Sequence, residues 1–194
     1  YTAVKMQDVT VTADTSNGSF GLTGNLTINS FDYNGAADSF ERLDWTTLNL
    51  NPGADLPSPT DLSIDYTSEF VHRVTGSVTG TGANGAFITS GDVTLAGTAE
   101  FAVSRYQRDI GTLTEANVDS FAFTLTDVDL TVGTDINLTL TGAVAVVTGG
   151  DAYTAVKMQD VTVTADTSNG SFGLTGNLTI NSFDYNGAAD SFER

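Results

Sequence analysis

An exact internal repeat constrains the fold of this chain more than any other feature of its sequence. Residues 1–42 recur without one difference as residues 153–194, which gives a period of 152 in a chain of 194 residues. Identity of this extent indicates a tandem array, in which each copy contacts mainly its neighbours. We therefore expect residues 1–42 to be the C-terminal part of a preceding repeat, residues 43–60 a connector, and residues 61–194 the main repeat unit.

Regular alternation of apolar and polar residues predicts long strands with one buried and one wet face. Val9 and Val11 alternate with threonines, and the same period of two returns around Leu138 and Leu140. Helix signals are nearly missing. The predicted fold is all-β, an antiparallel β-sandwich or prism built from long hairpins and repeated with a period of 152.

Turn signals lie between these strands, and the apolar-polar alternation shifts at two places within them. The pairs Asn17-Gly18, Asn34-Gly35 and Asn84-Gly85 supply the positive φ angles that tight hairpin turns require. The alternation shifts by one residue beside Asp127 and again beside Asp160. Such a shift predicts a β-bulge or a tight bend at each aspartate.

All three prolines of the chain lie in the segment 49–60. Proline lacks an N–H group, so this segment is not a central strand and is the natural boundary between units. Trp45, together with Phe40 and Tyr33, predicts a small satellite core beneath this connector.

Charge and composition exclude several classes of partner. Asp+Glu total 24 against 7 Lys+Arg, for a formal net charge of -17. Such a chain repels phosphate backbones and anionic lipid head groups, so nucleic acid is not a predicted partner. No run approaches the 18 or more apolar residues of a membrane helix, so direct membrane insertion is not predicted either. Cysteine is absent, which excludes disulfides and thiolate metal sites.

One acidic loop concentrates oxygen ligands of the kind that a hard cation prefers. Its candidate metal ligands are Asp32, Asn34, Asp38, Glu41 and Asp44. Two interpretations are open: a solvated acidic loop, or a Ca²⁺ site. Calcium is the one cofactor that the sequence suggests.

No motif indicates an enzyme. Residues 80–85 match G-x-G-x-x-G, but a strand pattern comes directly after them, so no helix N-terminus is present to hold a pyrophosphate and a hairpin turn is predicted instead. His72 is the only histidine, and no spacing singles out a pair of carboxylates for acid–base chemistry.

Long identical repeats, the lack of cysteine, few lysines and short phrases such as Leu22-Thr23-Gly24 and Asp8-Val9-Thr10 resemble the repeat regions of giant bacterial surface proteins, the type I secreted or RTX adhesins. This resemblance implies an extracellular, cell-surface location, calcium-stiffened junctions, and a role in attachment or biofilm formation.

Two functions are expected on these grounds. The first is a structural repeat unit of an extracellular filament, stalk or adhesin that assembles end to end with neighbouring copies of itself. The alternative is a carbohydrate- or surface-binding module, in which each repeat binds surface glycans weakly and the array gains avidity.

Overall fold

The computed structural model describes residues 1–14, 20–38, 40–90, 92–133, 136–150, 152–166 and 175–189. Its strands are β1 (Thr2–Asp14), β2 (Phe20–Gly35), β3 (Phe70–Gly80), β4 (Ala86–Ser90), β5 (Val93–Ile110), β6 (Leu113–Val132), β7 (Ile136–Gly149), β8 (Tyr153–Asp166) and β9 (Thr175–Ala188). Short 3-10 helices span Trp45–Thr47, Pro52–Asp55 and Ala83–Gly85. No α-helix occurs in these ranges, so the all-β prediction is confirmed.

The nine strands form one antiparallel sheet in the order β1-β2-β3-β5-β6-β7-β8-β9. The short β4 lies in line with β3 and, like β3, pairs with β2 on one side and β5 on the other. No pairing joins β1 to β9 among the described residues, so each forms an open edge. Within the same residues, no helix is long and apolar enough to cross a membrane.

The two faces of the sheet differ sharply in polarity, because directly paired residues in neighbouring strands share a face. One continuous row of apolar residues runs across the sheet, with one residue from each of the eight strands in the order above. The row consists of Met6, Phe31, Val74, Val103, Phe121, Val146, Val156 and Tyr185. The row of neighbouring positions on the other face begins Lys5, Asp32, Arg73, Ser104 and Ser120. We call these faces the apolar face and the polar face.

The apolar face has no second layer in the described part of the chain. Strands contact chiefly their neighbours in the sheet, and Phe121 and Tyr185 remain 43% and 50% exposed. The described strands thus form a single sheet, and the sandwich or prism that the alternation predicts stays a prediction.

Aspartates at bulges keep the apolar face continuous where the alternation slips. Asp8, Asp127 and Asp160 all have positive φ, at 54°, 47° and 52°, and the register shifts beside Asp127 and Asp160. Opposite them lie Gly97 and Gly142, with φ of 118° and 129°, because a side chain there would strike backbone atoms at 2.6 Å. The predicted bulges beside Asp127 and Asp160 are confirmed.

The three Asn-Gly pairs do not all form turns. Asn84-Gly85 has the predicted positive φ angles, 57° and 76°, but β4 runs on from Ala86 in the direction of β3, since both strands pair antiparallel with β2 and β5. The hairpin turn predicted in the G-x-G-x-x-G segment was therefore wrong. Asn34-Gly35 is not a turn but the paired end of β2, so that prediction was wrong. Asn17-Gly18 lies outside the described residues.

Residues 36–69, which we call the connecting segment, link β2 to β3 and cover one end of the polar face. Ile64, Tyr66 and Phe70 form a buried cluster, with Ala3, Trp45 and Tyr106 packed against it. The satellite core predicted around Trp45 is confirmed for this residue. Phe40, however, is 65% exposed, and Tyr33 lies on the opposite, apolar face of the sheet.

Candidate assembly site on the end hairpins

The repeated hairpin occupies both ends of the sheet. The β1–β2 pairing of Lys5 with Asp32 is repeated as the β8–β9 pairing of Lys157 with Asp184. Identical sequences thus adopt an identical register. Their surroundings differ, because β2 pairs on its far side with β3 and β4, whereas β9 pairs with β8 alone in the described chain.

Asp32 is the buried anion of the first hairpin. Its side chain is fully buried, and its Oδ2 accepts hydrogen bonds from Arg73 Nε at 3.0 Å and Nη2 at 2.8 Å. Its Oδ1 accepts from the Tyr66 hydroxyl at 2.9 Å and lies 3.7 Å from Lys5 Nζ. A buried carboxylate needs such partners, because an unpaired one is costly to desolvate.

The partners of Asp32 respond electrostatically to it. The hydrogen bond to Asp32 raises the pKa of Arg73. Burial, followed by the hydrogen bond to Asp32, raises the pKa of Tyr66 far above its ordinary value. Both shifts hold these groups in their proton-donating forms.

Asn34 fastens the connecting segment two residues further along β2. Its Nδ2 donates to the carbonyl oxygens of Leu43 at 3.1 Å and Thr67 at 3.0 Å, while its Oδ1 accepts from Trp45 Nε1 at 2.8 Å. The side chain is fully buried. One amide therefore joins both ends of the connecting segment to the sheet.

The second hairpin carries the same side chains, but no described residue supplies them with these partners. Asp184 has an ion pair with Lys157 at 3.0 Å, and the two side chains are 65% and 63% exposed. Asn186 is exposed, and Leu178 is 63% exposed. The β8–β9 hairpin is therefore an uncovered copy of a hairpin that the chain covers at its other end.

The predicted calcium ligands do not converge on one point. Asp32 and Asn34 lie side by side but engage protein donors, so they do not fit a cation in this arrangement. Asp44 instead caps the first 3-10 helix, accepting from Thr46 N at 3.0 Å, and Asp38 and Glu41 are exposed. Among the described residues no group of three or more His, Cys, Asp or Glu side chains is placed to hold a metal ion. Calcium binding stays a prediction.

The sequence does not connect three residues of this site with Asp32 or Asn34. Tyr66, Arg73 and Trp45 reach Asp32 or Asn34 from 34, 41 and 11 residues away along the chain. The directly opposed pair Asp32 and Arg73 depends on the register shift between Ile28 and Ser30. Because the sequence does not reveal this register shift, it does not predict that Asp32 and Arg73 are paired.

Comparisons with protein-family models, with curated proteins and with solved structures found no match to this chain. Function is therefore inferred from the chain's own contacts.

Proposed function

We propose that this chain is a structural repeat unit of an extracellular filament or stalk, in which successive repeats continue one β-sheet from strand to strand. The single observation that carries the proposal is the repeated hairpin, which is covered at one end of the sheet and open at the other. Identical residues at the open end leave Asp184 and Asn186 accessible to the next repeat.

The next repeat is the best-matched cover for the open hairpin. A strand with the sequence of β3 would pair with the free edge of β9 and bring its arginine to Asp184, as Arg73 meets Asp32. The accompanying connecting segment would place its tyrosine and tryptophan on Asp184 and Asn186. Growth by strand addition also removes the open edges that a finite sheet leaves exposed.

Composition agrees with a mechanical role outside the cell. The net charge of -17 keeps neighbouring filaments apart by repulsion. Catalysis is not part of this proposal.

Length measurements on polypeptides of two, three and four 152-residue periods test the proposal. Six steps separate β1 from its copy β8 in the sheet order, so at about 4.8 Å per step each period adds about 29 Å to a ribbon. A chain of separate compact domains would instead add about 38 Å per period, with flexible joints. Electron microscopy and small-angle scattering distinguish the two, and bead-like particles would overturn the proposal.

A junction variant sharpens this test. In the two-period polypeptide, an Asp184→Arg substitution places a cation opposite the incoming arginine and removes its acceptor. We expect the ribbon to break or bend at that junction only. The matched control is Lys157→Gln, which removes an exposed partner and leaves the acceptor in place.

A further inference from the structure

The apolar face of the sheet has no cover in the described chain. Its central row includes Phe31, Val103, Phe121 and Val146, on adjacent strands, and the rings of Phe121 and Phe123 lie 5.5 Å apart. The contacts of the connecting segment with Asp32 and Asn34 are on the polar face. An apolar surface of this continuity marks an interface.

The solvent-accessible surface area of the chain is larger than that of a compact monomer of the same mass. The chain exposes 12076 Å², about 3,300 Å² more than the roughly 8,800 Å² expected for a compact monomer of its mass, 20.2 kDa. The apolar face extends across eight strands. From the spacing between strands and the rise per residue along them, its area is on the order of 1,100 Å². Two such faces packed together bury about 2,000 Å², which is what a stable dimer needs.

Charge at this face is compatible with a second copy in spite of the net charge of -17. The row from Met6 to Tyr185 contains no charged residue. At its rim the charges of Arg105 and Asp119 balance each other, since Arg105 Nε lies 2.6 Å from Asp119 Oδ1, and that hydrogen bond lowers the pKa of Asp119. Lys5, Asp32 and Arg73 lie on the opposite face.

We propose that the apolar face binds the same face of a second copy of this chain, forming a two-layer β-sandwich between molecules. A second apolar sheet face of equal extent would cover all eight strands at the spacing of about 10 Å at which sheets stack. The described residues offer one such surface, so the self-complementary contact is isologous. This pairing goes beyond the growth of the sheet proposed above and rests on different residues.

Two neighbouring valines on β7 provide a matched test. Val146 is in the apolar row, paired with Phe121, whereas Val147 pairs with Ser120 on the polar face and is 38% exposed. The chain lacks cysteine, so Val146→Cys and Val147→Cys each create a single thiol. In the 194-residue chain we expect a light-scattering mass of at least two copies. Maleimide should label the thiol of the Val146→Cys variant at least tenfold more slowly than that of Val147→Cys, with protection decreasing on dilution.

Each other outcome overturns the inference. A mass of one copy excludes the second copy, even if the thiol at position 146 is protected by some other cover. A mass of two copies with both thiols equally reactive places the contact elsewhere. Val146→Glu should separate the copies while Val147→Glu leaves them paired, and the two cysteine variants decide the matter if the glutamate variant fails to fold. Ribbon length per period is a separate measurement, so this inference and the proposed growth of the sheet fail independently.

Discussion

Asp32 and Asp184 occupy the same position in two identical hairpins, yet the first side chain is fully buried and the second is 65% exposed. The difference arises from the residues that come after the first hairpin in the chain. Residues 36–80 supply the buried carboxylate with Arg73 and Tyr66, and no described residue supplies equivalent partners to Asp184. The open hairpin is therefore an internal control for substitutions in the covered one.

The same substitution at the two aspartates should have very different costs. Asp32→Ala removes the acceptor of a buried ion pair, and we expect it to lower the free energy of unfolding by about 2–4 kcal/mol. Asp184→Ala removes an exposed pair and should cost less than about 1 kcal/mol. Urea denaturation of the 194-residue chain measures both. Equal costs would show that the buried network does not hold the connecting segment.

Trp45 is the only tryptophan and reports directly on the connecting segment. Asn34→Ala removes the acceptor of the Trp45 indole N–H and the side-chain donor to the carbonyl oxygen of Leu43, at a cost of about 1–3 kcal/mol. We expect easier quenching of Trp45 fluorescence by acrylamide in this variant. Asn186→Ala, the identical change in the open hairpin, should leave quenching unaltered. A rise in both variants would contradict the assigned contacts.

Local features of the fold are predictable from the sequence. The strands, their antiparallel pairing, the positive φ angles at Asn84-Gly85 and the bulges beside Asp127 and Asp160 are all encoded within a few residues. Alternation and turn chemistry act at that range, so a single sequence reveals them.

The site itself is not predictable in the same way. Clustered carboxylate and amide oxygens make Asp32 and Asn34 candidate calcium ligands in the sequence. Their actual partners, Arg73 and Tyr66 for Asp32 and Trp45 and Thr67 for Asn34, depend on register and on the path of the connecting segment. The turn predicted at Asn34-Gly35 is wrong for a related reason, since the dipeptide signal carries no information about a long-range amide contact.

Backbone geometry at the bulges yields a third prediction. Gly97 has φ of 118°, and a Cβ there would lie 2.6 Å from the carbonyl oxygen of Asp127. Gly97→Ala should therefore cost about 1–3 kcal/mol. Gly176→Ala, at a position with open space around it, should stay within about 0.5 kcal/mol. Thermal unfolding compares the two, and a tolerated Gly97→Ala would mean that the bulge relaxes.

The change in the free energy of unfolding at alkaline pH tests the role of Tyr66. An unfolded tyrosine ionises near its ordinary pKa of 10.0, and burial beside Asp32 raises the pKa of Tyr66 in the folded chain. The stability that its neutral form contributes is therefore fully present below pH 10 and is lost as the pH rises above it. Tyr66→Phe removes that hydrogen bond, at a cost of about 1 kcal/mol at neutral pH.

Urea denaturation between pH 7 and pH 11 separates this effect from the titration of other groups. We expect the unsubstituted chain to lose stability above pH 10 more steeply than Tyr66→Phe, so that the two curves converge. Tyr1→Phe, at a residue that is 64% exposed and outside the apolar row, should follow the curve of the unsubstituted chain throughout. If the Tyr66→Phe curve instead runs parallel to it, the hydroxyl of Tyr66 is not the group that burial and Asp32 keep protonated.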